Sequence, residues 1–133
     1  MKIVLLGAAC LVSFTPGATA APYAGTTAMK CTIQTVMICD EPSTCVRGTA
    51  ATANLPPVLE VDVVNKLISG AATGRTIRIM SIDHGAGKMM LRGLDVRTLG
   101  IAWDLVVDEK SGTMAGAVLS QGGYLLFGRC AAP

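Results

Sequence analysis

Histidine is nearly absent from this chain: His84 is the only one in 133 residues. With it goes most of the usual equipment for acid–base chemistry, and no G-x-S-x-G element supplies a nucleophile elbow. There is no Cys-x2-Cys pair, so neither a zinc clip nor a thioredoxin-type redox pair is spelled out. GAGK at 85–88 lacks the GxxxxGK[ST] spacing of a phosphate loop. No stretch after residue 30 sustains a 3.6-residue apolar period, which argues against helices. Charge of either sign is scarce, with charged residues at 15% of the chain and a formal net charge of +2. A chain this close to neutral lacks the electrostatic footprint of a nucleic-acid binder and has no polybasic cluster for a membrane surface.

What is present begins at the N-terminus. Lys2, the apolar run IVLLGAACLVSF and the ending TPGATA are the parts of a secretory signal, with Ala18-Thr19-Ala20 fitting the cleavage site. The run is too short for a transmembrane helix, which needs about 20 residues, so no stable membrane insertion is expected after cleavage. The expected organisation is a signal over 1–20, a loose arm over 21–29, and one β domain over 30–133. An exported, periplasmic or secreted location follows. About 113 residues then remain, with a net charge of about +1 and four cysteines: Cys31, Cys39, Cys45 and Cys130.

Four cysteines in an exported chain read as two structural disulfides. Three pairings are possible. Cys39–Cys45 is favoured because CDEPSTC carries Pro42 among polar turn formers, and Cys31–Cys130 then joins the start of the fold to its end. Six methionines survive maturation, but they are dispersed. Met89-Met90 point to opposite faces of a strand, so core filling fits them better than a copper site. No cofactor or metal is expected.

From Lys30 onward, period-2 alternation recurs with turn residues every eight to twelve positions. Strands are expected at 30–38, 44–52, 58–64, 66–69, 75–82, 88–94, 101–107, 113–119 and 123–129. Asn54-Leu55-Pro56-Pro57 reads as a connector. Three hairpins follow. In RIMSI-DHGAG-KMMLR, a register in which paired numbers sum to 170 places Ile77, Ile79 and Ser81 opposite Gly93, Leu91 and Met89. It places Arg78, Met80 and Ile82 opposite Arg92, Met90 and Lys88. In IAWDLVV, Ile101, Trp103, Leu105 and Val107 share one face, and the turn DEKSG offers Asp108 to backbone amides and Gly112 for positive φ. Gln121-Gly122-Gly123 turns the third. Sequential hairpins give antiparallel neighbours, and closure removes exposed edges. The expected fold is all-β, a small antiparallel meander forming an up-and-down barrel, with a two-sheet sandwich as the alternative.

DEKSG-TM-AGAV followed by GGYLLFGRC resembles the C-terminal part of small exported bacterial proteins without assigned function, in which a T-G-x-M-like turn leads to a closing F-G-x-C strand. In outline the chain is also similar to periplasmic lysozyme inhibitors and lipocalin-like protease inhibitors, which are small exported disulfide-bonded barrels. The lysozyme inhibitors carry an S-G-x-x-Y element; here Ser111-Gly112 is followed by Ala115 at the tyrosine position. The resemblance implies a binding or inhibitor function and transfers no catalytic residue.

Candidate sites are weighed on the same residues. His84 beside Asp83 reads as an exposed turn residue, and Glu60 and Asp62 as the solvent face of LEVDV. The register above gathers Arg78, Met80, Met90, Arg92 and Lys88 into a flexible apolar patch flanked by cations, suited to an acidic or amphipathic envelope or extracellular protein. A non-enzymatic binding or inhibitor-like module is therefore the first expectation. A carrier of a small apolar ligand, with Trp103 facing the barrel interior, is the second. A hydrolase of unrecognised type is the third.

Overall fold

A computed structural model describes residues 28–133. The expected signal segment and nearly all of the arm lie outside the described residues. Met29, assigned to the arm, instead opens the first strand and is buried.

Ten strands and no helix make up the described residues: β1 (Met29–Glu41), β2 (Thr44–Gly48), β3 (Val58–Asp62), β4 (Leu67–Gly70), β5 (Thr76–Arg78), β6 (Ser81–Gly85), β7 (Lys88–Asp95), β8 (Ile101–Asp108), β9 (Thr113–Leu119) and β10 (Gly123–Ala131). Alternation builds them. In β3, Leu59 and Val61 are buried while Glu60 is exposed, and in β8 Trp103, Leu105 and Val107 are buried while Asp104 is exposed.

One antiparallel sheet runs in the order β5-β4-β3-β1-β10-β9-β8-β7-β6, with β2 attached to β1. Apart from the β2 hairpin and the β5–β6 junction, strands that follow one another in sequence are paired, and the last strand is paired with the first. The sheet curls as a half-barrel, and its two ends belong to one stretch of chain. β5 pairs with β4, β6 pairs with β7, and only Ile79-Met80 separates them. There the backbone changes partner: Ile79 N–H donates to Lys66 O at 2.9 Å, and Met80 N–H donates to Arg92 O at 2.9 Å.

Opposite that junction, β1 and β10 pair from Lys30↔Ala131 to Cys39↔Gly123. Cys31 stands across from Cys130 and is bonded to it, inside the sheet's concave core. The register shifts between Ile33 and Thr35. The extra residue, Gln34, changes which parity faces inward, so Met29, Cys31 and Ile33 are buried before the bulge and Val36 after it. β1 has two successive neighbours on its other edge, β3 against 29–32 and then β2 against 36–41. The second disulfide, Cys39–Cys45, ties the tip of the β1–β2 hairpin. Both favoured pairings are thus present, as suits an oxidising environment.

Three expectations need correction. The first hairpin does not sum to 170. Its register is Ser81↔Arg92, Ile82↔Leu91, Asp83↔Met90 and Gly85↔Lys88. The chain turns on two residues, Ala86 and Gly87, both with positive φ (52° and 70°), the backbone of a tight hairpin turn. A five-residue DHGAG loop is therefore not formed. The 75–82 strand is divided at Ile79-Met80. The second strand ends at Gly48, not 52, because Thr49 and Thr52 bond each other reciprocally, Thr49 N–H to Thr52 Oγ1 at 2.8 Å and Thr52 N–H to Thr49 Oγ1 at 3.2 Å. That local turn outcompetes the ladder.

Candidate functional site

The outward face of β7 carries Lys88, Met90, Arg92 and Leu94, because its alternate residues Met89, Leu91 and Gly93 are buried. The corrected register abolishes the Arg78/Arg92 and Met80/Met90 oppositions. Arg92 lies between Ser81 and Asp104, and Met90 between Asp83 and Val106. Both cations on β7 have acidic partners: Arg92 Nε is 3.5 Å from Asp104 Oδ1, and Lys88 Nζ donates to Asp108 Oδ2 at 3.2 Å. Arg78 pairs with Leu67 on β4, and its carbonyl oxygen lies close to Gly93 of β7. Met80 does join Arg92, lining with Leu94 and Asp104 a shallow surface depression. The five predicted patch residues thus all lie on or beside β7, but Arg78 and Met80 are not the cross-strand partners of Arg92 and Met90.

Ladder pairings extend that face well beyond β7. One cross-strand row reads Leu94–Ala102–Leu119. The next reads Arg92–Asp104–Ala117–Leu125–Met37, and the third Met90–Val106–Ala115–Phe127–Thr35. All these side chains lie on the convex side, opposite the buried set. Leu94, Leu119, Leu125 and Phe127 are 53%, 54%, 45% and 44% exposed. The result is an apolar field over β7–β10 and β1, crossed by one Arg92–Asp104 pair. Its signal in the sequence is YLLFGRC: Leu125 and Phe127 are apolar at positions whose neighbours Leu126 and Gly128 already serve the core.

On the concave side, a cavity of about 90 Å3 opens at one end of the sheet. Ile33, Leu59, Ile68, Trp103, Leu105, Val118 and Leu126 form its buried wall. Leu55, Pro56, Arg75, Ile77, Leu99 and Ile101 form the more exposed part of the lining. The connector residues Leu55 and Pro56 reach this position because Arg75 holds Asn54 twice, Nη1 donating to its carbonyl at 2.9 Å and Nη2 to Oδ1 at 3.2 Å. Asn54 takes positive φ (53°). Trp103 Nε1 and Ser81 Oγ are buried without a hydrogen-bond partner.

His84 is exposed, and its partner is not Asp83. Nδ1 lies 2.7 Å from Glu109 Oε1, and Glu109 N–H donates to Gly87 O at 2.9 Å, so the β6–β7 and β8–β9 turns are tied together. Below them, Asp108 Oδ1 accepts from Ser111 N–H at 2.8 Å, Ser111 Oγ at 3.0 Å and Lys110 N–H at 3.1 Å. The Ser111 amide first, then Lys88, holds the Asp108 carboxyl well below the usual carboxylate range. Asp62 is lowered by Asn65, whose N–H and Nδ2 both donate to it, and it closes the β3–β4 turn. Among the described residues, no three His, Cys, Asp or Glu side chains converge as a metal site. No protein-family profile, curated protein or solved structure matches the chain.

Proposed function

We propose that this protein is an exported, non-enzymatic binding module of the cell envelope or its surroundings, inhibitor-like in build, which engages another protein through the convex face of β7–β10. The observation that carries this reading is the apolar field itself. Four large side chains, each about half exposed, share one side of a rigid sheet. Contiguous apolar surface of this kind marks interaction sites, and a hydrogen-bonded sheet presents it with little backbone ordering left to do on contact. The Arg92–Asp104 pair crossing it leaves the face locally neutral. The favoured partner therefore presents an apolar surface with paired charges and is not a strongly acidic one. Export rests on the N-terminal signal pattern, and the two disulfides are consistent with it.

Pull-down from an envelope extract tests the proposal. Wild type and Leu125→Glu/Phe127→Glu, both verified as folded by circular dichroism, are compared, with Lys66→Glu in the exposed β3–β4 turn as a control. A partner retained by wild type and by the control, and reduced about tenfold or more by the double variant, is the expected outcome, since burying two unpaired carboxylates opposes association. Identical profiles for all three proteins remove this face from consideration.

A further inference from the structure

Beyond that protein-binding face, we propose that the end cavity is a second, separate binding site, which takes the slim apolar tail of a small amphiphile whose anionic head rests on Arg75. Two features specify the ligand. The cavity wall is aliphatic apart from the indole of Trp103, so what enters must be apolar. The space of about 90 Å3 is small and narrow-walled, which suits a slim apolar chain.

The head group follows from Arg75. Arg75 borders the cavity, and its guanidinium bonds only neutral acceptors, the carbonyl and side-chain oxygens of Asn54. Among the described residues, no carboxylate forms an ion pair with it, as is also true of Arg47, Lys66, Arg78, Arg97, Lys110 and Arg129, but of these cations Arg75 is the one that borders the apolar cavity. A fixed, uncompensated cation beside an apolar opening complements a carboxylate or similar anion at the end of a chain. Asn54 already shows how an oxygen acceptor sits on that fork. Leu99, 46% exposed on the 96–100 loop, supplies apolar surface at the same opening for the part of the tail that remains outside.

Trp103 is the only tryptophan and lines the cavity, but it also borders the depression beside Met80 and Arg92, so a fluorescence change is assigned to the cavity where the Arg75 variants alter it. The probes are straight-chain carboxylates from butanoate to dodecanoate and the matching primary alcohols, each below its aggregation threshold. For the acids, affinity should rise about fourfold per added methylene and then level off once the cavity is filled. Each acid should bind about tenfold or more tighter than its alcohol, the scale of one charge-assisted hydrogen bond. Arg75→Gln, which removes the charge, should erase the acid–alcohol difference, and Arg75→Lys should keep it. Leu125→Glu/Phe127→Glu should bind the probes as wild type does, which separates this site from the convex face. No Trp103 response to any probe overturns the proposal. So does equal affinity of wild type for acids and alcohols, or a rise with chain length that never levels off.

Discussion

At the scale of single residues, the polar side chains here act mainly as turn locks. Asp108 is the clearest case. Its carboxylate gathers four donors from Ser111, Lys110 and Lys88, and its depressed pKa means that the folded state favours the ionised form. A group of this kind contributes fully above the ordinary carboxylate value of about 4, and that contribution disappears as pH falls through its lower folded value. Thermal unfolding followed from pH 6 downward should therefore show Tm falling across the acid range. Asp108→Asn should show a shallower fall, because the variant has no such proton to take up. Parallel pH profiles for the two proteins would contradict this assignment. The Asp108 lock was readable in DEKSG, where an acidic residue precedes polar amides and a glycine. Gly112 indeed takes positive φ (73°). The Arg75–Asn54 clasp was not readable, since its partners lie 21 positions apart and meet only through the curl of the sheet.

Elements show the same division between local and non-local information. β8, β9 and β10 were legible because each is a short apolar run bounded by turns that carry Ser, Gly or Asp. The β6–β7 register was not, because GAGK permits more than one turn. The chain's choice of Ala86-Gly87 moves the pairing by an odd number and exchanges the faces. The end of β2 escaped notice because Thr49 and Thr52 have good strand propensity but bond each other. Nothing in QTVMI announces the β1 bulge at Gln34, which is defined by the partner strand. Gly128 lies opposite Ile33 beside that bulge, and a Cβ there would drive into the Thr32 carbonyl oxygen. Gly128→Ala should therefore lower unfolding free energy by about 1–3 kcal/mol, the range for overpacking a tight site. At Gly123 an added Cβ would meet only Leu119 Cδ2 at 3.6 Å, so Gly123→Ala should stay within about 0.5 kcal/mol of wild type. Urea denaturation of both variants measures the contrast, and equal effects would place the constraint elsewhere.

For the molecule as a whole, the two disulfides differ in what they constrain. Cys31–Cys130 spans a sequence separation of 99, Cys39–Cys45 one of 6. On the loop-entropy account the long link restricts the unfolded chain by about 4–5 kcal/mol and the short one by about 2 kcal/mol. Cys31→Ser/Cys130→Ser should thus destabilise about twice as much as Cys39→Ser/Cys45→Ser in chemical denaturation at fixed pH. A larger loss from the short link would show that the hairpin tip, not the β1–β10 pairing, limits stability. The overall architecture was legible because the two cysteine pairs and the serial hairpins all point to a curled antiparallel sheet. The cavity was not, because it exists only where the connector at 54–57 folds back over the sheet's end.

The wall has two joints, and they are unlike. On one side a covalent rivet fixes β1 to β10. On the other, at Ile79-Met80, the chain is merely hemmed, one peptide tucked toward Lys66 and the next toward Arg92. Because Met80 and Arg92 border the convex apolar face, a partner seated there would cover the stretch where β5 gives way to β6 through two backbone hydrogen bonds and no ladder.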